Sequence, residues 1–178
     1  LIKELRIIYK AEVTEEKHDL LSNISLENNF KPKVDFYDLY LIASGFIGET
    51  KLANSNSKEA LKINSVNYAG ILPWLTEIMT EERIKYAGSL WILSSVASDR
   101  GRPSNYHYGA SKAALSVFCE GLFLRCVNKP FSVRIIKAGY ISTPMATGAP
   151  KILCTNPNKV ASILLKKPHK RGIEYLPW

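Results

Sequence analysis

The sequence predicts an α/β fold built on a mostly parallel sheet, in a single domain over residues 1–178. Two observations carry that expectation. Short apolar, strand-like runs alternate along the chain with helix-like segments. With 178 residues and 46% hydrophobic content, the chain is also long enough to bury one sizeable core.

Taken in order, the first strand is expected from Leu5 to Val13, entered by what reads as the tail of a helix. The second runs from Leu39 to Ala43. Asn56 and Glu59 then stand at capping-box spacing, and Ala60, Ile63, Ile71, Trp74 and Ile78 recur on one helical face. A third strand, Ser89 to Ser94, follows. The next helix is expected from about Tyr108 to Val127, with Leu115, Phe118, Leu122 and Cys126 turned inward and Pro130 closing it. Ser132 to Lys137 is the fourth strand, Asn158 to Lys166 a shorter helix, and Ile173 to Leu176 the last strand. None of the ten glycines forms GxGxxG; Gly45 and Gly48 come nearest, without a convincing helix behind them.

Composition excludes more than it selects. The net charge of +8 suits nucleic acid, an acidic membrane surface or a phosphorylated ligand. No zinc-finger, RNP or helix-turn-helix signature accompanies it, so nucleic acid is not expected. Lys166, Lys167, Lys170 and Arg171 form the one dense basic run, which reads as solvated surface, with the ending Tyr175 to Trp178 giving weak support for membrane contact. No apolar run approaches the ~20 residues that span a bilayer, and no leader opens the chain, so a soluble cytoplasmic protein is expected. Cys119, Cys126 and Cys154 are odd in number and form no CxxC pair, which points to buried, reduced thiols rather than disulfides or a metal site.

The chemistry concentrates in Ser94-Ser95-Val96-Ala97 and Tyr108-Gly109-Ala110-Ser111-Lys112. A strand ending in serines, a loop and a helix opening on YxxxK puts Tyr108 and Lys112 on one helical face. A carbonyl accepting hydride becomes an alkoxide and needs a proton. A phenol of pKa ~10 is a poor proton donor or base at neutral pH unless its anion is stabilised, and a nearby ammonium favours the phenolate. Ser95 would stand at the carboxyl edge of the sheet, where ligands bind in such folds, with its hydroxyl towards the substrate oxygen.

With these motifs in order along the chain, the sequence resembles the short-chain dehydrogenase/reductase family. Leu41-Ile42-Ala43-Ser44-Gly45 is similar to its NNAG-type strand end, with Ser44 in place of asparagine. Asn67-Tyr68-Ala69-Gly70 resembles the segment whose asparagine supports a water relay. Ala138-Gly139-Tyr140-Ile141-Ser142-Thr143-Pro144-Met145 is similar to the PGxxxTxM segment beside the nicotinamide, with Ala138 departing from proline. The string from Ser94 to Tyr106, the following YGASKAAL and the ending Glu174 to Trp178 resemble the decaprenylphospho-erythro-pentofuranosid-2-ulose 2-reductase branch, which implies a keto-sugar on a polyprenyl phosphate.

That resemblance implies a Rossmann-type doubly wound sheet, NAD or NADP as cofactor, a small carbonyl or alcohol substrate and a homo-oligomer. Its catalytic residues would be Asn67, Ser95, Tyr108 and Lys112. Its cofactor contacts would be Glu12, Val13, Ala43, Ser44, Gly45, Tyr108, Lys112, Ala138, Gly139, Ile141 and Thr143. Tyr9 to Thr14 is similar to the end of the family's third strand, with Glu12 replacing aspartate. The first two strands and their glycine-rich turn have no counterpart in these 178 residues. Because sheet order 3-2-1-4-5-6 would then leave apolar edges unpaired, the chain is expected to be an N-terminally incomplete part of a dinucleotide-binding protein.

Several residues keep plainer alternatives. Asn67 could satisfy backbone groups in a bent helix, Ser94 and Ser95 could cap a strand end, and Thr143 could act only as an N-cap. His107 is expected at the surface or rim. Arg100 and Arg102 fit either a grip on a substrate phosphate or a solvated loop. A non-catalytic dinucleotide-binding scaffold is the alternative function.

Overall fold

A computed structural model describes residues 10, 12–24 and 30–176. Four parallel strands form the main sheet: β1 (Leu39–Ile42), β2 (Gly88–Ser95), β3 (Phe131–Ala138) and, after two short strands, β6 (Gly172–Tyr175). They lie in the order β1-β2-β3-β6, which is also chain order. Strands β4 (Tyr140–Ile141) and β5 (Cys154–Thr155) pair separately.

Strand-to-strand parallel pairing requires crossovers, and helices supply them. Between β1 and β2 come α1 (Thr50–Ala53), α2 (Ser57–Asn67) and α3 (Leu72–Ile78); α4 (Tyr106–Arg125) joins β2 to β3, and α5 (Pro157–Leu165) precedes β6. Side-chain alternation then sorts the core into two layers. Leu90, Ile92, Val133 and Ile135 pack with Leu75, Leu115 and Cys119 of α3 and α4 on one face. Trp91, Ile136 and Ala138 pack with Val160 and Leu164 of α5 on the other. Leu115 is fully buried, and Phe118 and Leu122 pack against the same cluster, so these α4 residues serve the core. The outward residues of α2 and α4 are instead Leu61, Val117 and Leu124.

The expected strands from Leu39 onward recur within a residue or two. The strand expected from Leu5 to Val13 falls largely outside the described residues; Glu12 and Val13 carry no strand. Among the described residues β1 has a partner strand on one side only, and Leu39 and Leu41 are 41% and 53% exposed.

One expected helix is three pieces. Tyr68 leaves helical geometry at φ −141°, ψ −68°, a short 3-10 turn spans Ala69–Ile71, and α3 restarts with Pro73 in its first turn. Asn56 caps α2 by accepting from Glu59 N at 3.2 Å. Glu59 does not return the bond: its carboxylate accepts from Glu49 N.

Charged residues hidden in β3 make the remaining long-range ties. Arg134, wholly buried, donates to the Glu174 carboxylate at 2.8 and 2.5 Å and to the Leu164 and Lys167 carbonyls at the end of α5. Lys137 bonds Asp99 at 2.7 Å, and Tyr175 Oη donates to the same carboxylate. Lys170, from the basic run, pairs with Glu174 at 2.8 Å. The three cysteines are free, Cys119 and Cys126 buried. No helix among the described residues is long and apolar enough to cross a membrane.

Candidate active site

The carboxyl ends of β1, β2 and β3 open onto a cleft of about 670 Å³, a size typical of small-molecule sites. Its floor is the end of β2. Ser94 turns away from the opening, its hydroxyl 2.6 Å from that of Ser116 and donating to Lys112 O, which pins β2 to α4. Ser95, one residue on, lines the cleft and accepts from Ala97 N at 3.1 Å. Both serines line the cleft and both make caps or ties, but the Ser94 hydroxyl is taken up by Ser116 and Lys112 O.

Helix α4 brings Tyr108 against that serine, and Gly109 allows the approach. A Cβ on Gly109 would lie 2.8 Å from Ala97 O, closer than side chains tolerate. Burial pushes the Tyr108 phenol above its ordinary value, and the adjacent Ser95 hydroxyl opposes that rise. Lys112 is not among the groups acting on it. The lysine is 2% exposed and donates to Ser44 O at 3.2 Å and Leu93 O at 3.1 Å. Its ammonium is aimed at these backbone carbonyls, and the groups acting on the phenol are burial and Ser95. Burial in turn lowers the lysine itself to about 8.

Asn67 is buried and its side chain is spent. It accepts from Phe46 N and donates to Phe46 O and Ile63 O, tying the loop after β1 to α2. The plainer role, satisfying backbone groups at a bend, is the one its side chain performs. The same bend diverts Ile71 N to Tyr68 O, away from the Asn67 carbonyl it would meet in an unbroken helix.

The expected cofactor contacts separate cleanly. Ala43, Ser44, Gly45, Tyr108, Lys112, Ala138, Gly139, Ile141 and Thr143 all line the cleft. Glu12 and Val13 do not. A Cβ on Gly45 would meet Lys112 Nζ at 3.5 Å and Asn67 Oδ1 and Met145 Cε at 3.6 Å, so bare backbone keeps the space before the lysine open. Such space, with one ammonium N–H of Lys112 uncommitted, suits a ribose. Thr143 precedes the Pro144–Ala146 turn without a side-chain cap bond, leaving its hydroxyl for a ligand.

Sequence reasoning missed other lining residues: Ile47, Leu93, Asn105, Tyr140, Met145 and Leu153. Met145 belongs to a recognisable motif, whereas Leu153 carries no local signal. Of the two loop arginines, Arg102 lines the cleft and Arg100 is exposed outside it. His107 is half-buried beside Tyr106 and does not line it.

Known proteins resemble this chain in sequence and fold. An uncharacterised oxidoreductase of Mycobacterium tuberculosis is 29% identical over 140 residues, which is 78% of this chain and 56% of that protein. The vibriobactin-specific 2,3-dihydro-2,3-dihydroxybenzoate dehydrogenase of Vibrio cholerae is 26% identical over 144 residues, 77% of this chain and 53% of that one. The chain thus spans about half the length of these relatives. Among solved structures, a short chain dehydrogenase from Salmonella enterica serovar Typhi superposes with a TM-score of 0.77 at 17% identity, over 98% of this chain and 78% of its own. One from Burkholderia cenocepacia, in complex with NADP, gives 0.67 at 21% identity, over 79% and 61%. Both show the same fold. The model of the short chain dehydrogenase family matches residues 30–151, the stretch that carries Ser95, Tyr108 and Lys112, and the chain belongs to that family.

Proposed function

We propose that this protein is an NAD- or NADP-dependent oxidoreductase that interconverts a carbonyl and an alcohol, with Ser95, Tyr108 and Lys112 as its catalytic residues. The observation that carries the reading is the convergence of the Ser95 and Tyr108 hydroxyls in one cleft, with Lys112 a helical turn behind. A nicotinamide cofactor, held along Ala43 to Gly45, Lys112 and the Ala138–Thr143 segment, would supply or accept the hydride. Ser95 Oγ donates to the substrate oxygen and fixes its position. Tyr108 Oη gives that oxygen its proton during reduction and recovers it in the reverse direction. Burial keeps the proton on the phenol until an alkoxide, a much stronger base, develops beside it.

Lys112 holds the end of β1 to β2 through Ser44 and Leu93 and keeps one N–H for a ribose hydroxyl. Asn67 acts by position: its side chain fixes the Phe46 loop, and its carbonyl, released by the bend, accepts from a relay water. Proton delivery of this kind contributes about 10²–10⁴ in rate, so most of the acceleration comes from holding two reactants together.

The test is Tyr108→Phe in the whole protein. Reduction of carbonyl substrates, assayed with NADPH first because solved relatives hold NADP, is expected to fall at least a hundredfold with cofactor binding retained. A keto-sugar is the first finer substrate class to include. Turnover within a few-fold of the parent would refute the assignment.

A further inference from the structure

Arg102 is the feature of the cleft that hydride transfer leaves unexplained. Its side chain lines the cavity and is half-buried, yet among the described residues its guanidinium makes no ion pair and no hydrogen bond. Among the described residues no aspartate or glutamate lines the cleft, and Asp99, the acid in the same loop, is taken by Lys137 and Tyr175. The loop is not slack: Asn105 N donates to Arg102 O, closing a turn that leads directly into the helix of Tyr108. The other lining cation, Lys112, is turned onto backbone carbonyls behind Gly45.

A guanidinium offers five donors in a planar fork that matches carboxylate and phosphate, and partial burial strengthens such a pair. From this unpaired cation lining the same cleft as Ser95 and Tyr108, with no acid among the described lining residues, we propose that Arg102 selects substrates bearing an anionic group, a carboxylate or a phosphate, in the same molecule as the reacting carbonyl. The proposal rests on the oxidoreductase reading and adds the substrate class.

Two matched pairs test it: acetoacetate against methyl acetoacetate, and dihydroxyacetone phosphate against dihydroxyacetone, each with the parent protein and Arg102→Gln. The parent should favour the anionic member of at least one pair by ten- to a hundredfold in kcat/KM, as charge-assisted bonds typically give. The pair with the larger ratio distinguishes carboxylate from phosphate. Arg102→Gln should abolish that ratio through KM, leaving the KM for cofactor and the rate with the neutral member within twofold. Equal use of charged and neutral members overturns the proposal, as does a raised KM for cofactor alone. Calorimetric titration of acetoacetate and dihydroxyacetone phosphate, without reduced cofactor, separates the two readings. Arg102-dependent binding without turnover of any substrate sinks the oxidoreductase reading and keeps the anion site; turnover without charge discrimination does the reverse. No turnover with binding that ignores Arg102 sinks both.

Discussion

Replacing Lys112 by Met should make the protein's stability less dependent on alkaline pH. The ammonium is held in a site that lowers its pKa from the ordinary 10.5 to about 8, chiefly by desolvation. Between those values the unfolded chain carries the proton and the folded chain does not, so stability rises with pH across that window and is lowest below it. At about 1.36 kcal/mol per pH unit of difference, the buried ammonium costs about 3 kcal/mol at pH 7, and roughly 2–3 kcal/mol of this is relieved by pH 10. Lys112→Met removes the titration. It also leaves Ser44 O and Leu93 O without their donor, a cost that does not vary with pH and cancels when the two proteins are compared at both values. Urea unfolding of parent and variant without cofactor, at pH 7 and pH 10, gives the double difference. The parent should gain roughly 2–3 kcal/mol on the variant over that interval. A gain below about 0.5 kcal/mol would show that the lysine is not held as described.

Gly109→Ala puts a Cβ 2.8 Å from Ala97 O. Relief requires α4 to move off the Ser95 turn, so unfolding measurements should show a loss of about 1–3 kcal/mol and kinetic assays a larger proportional fall in kcat than in cofactor affinity. Arg134→Met leaves the Glu174 carboxylate with Lys170 as its remaining partner and strands two carbonyls, and a loss of about 3–5 kcal/mol is expected by denaturant titration. Adding Glu174→Leu should restore part of that stability; a double variant as unstable as the sum of the singles would refute the buried pair.

How far the sequence could be read depended on how local each cause was. β2, β3 and α4 were legible because apolar runs and helical spacing are written in consecutive residues, and Ser95, Tyr108 and Lys112 follow once strand, loop and helix are placed. The break at Tyr68 was not, because it is tied to Asn67 reaching Phe46, twenty-one positions away. The partners of the β3 charges carry no local signal either: Arg134 and Lys137 are neutralised by Glu174 and Asp99, forty and thirty-eight residues distant. The acceptors of Lys112 are carbonyls on two different strand ends, for which side-chain identity gives no signal. Arg100 and Arg102 are equivalent in composition, and nothing in the local sequence says that Arg102, whose carbonyl closes the turn with Asn105, is the one that lines the cleft.

The charge inventory of the cleft also constrains where a proton can come from. Among the described lining residues there is no carboxylic acid and no histidine. Of the two lining cations, Lys112 has two of its three N–H groups on carbonyls of the two strand ends, with the third assigned to a ribose in the proposed reaction, and Arg102 does not give up its proton in proteins. Two phenols remain. Tyr140 is exposed on a two-residue strand, while Tyr108 is set by the rigid first turn of a long helix against Ser95, with Gly109 closing the gap. Under the proposed reaction, a carbonyl oriented by the Ser95 hydroxyl would therefore meet Tyr108 as its well-positioned proton donor. Under the proposed anion selectivity, an anionic group on the same molecule would find Arg102 as the free cation among the described lining residues, and engaging both contacts would restrict which carbonyl face is presented.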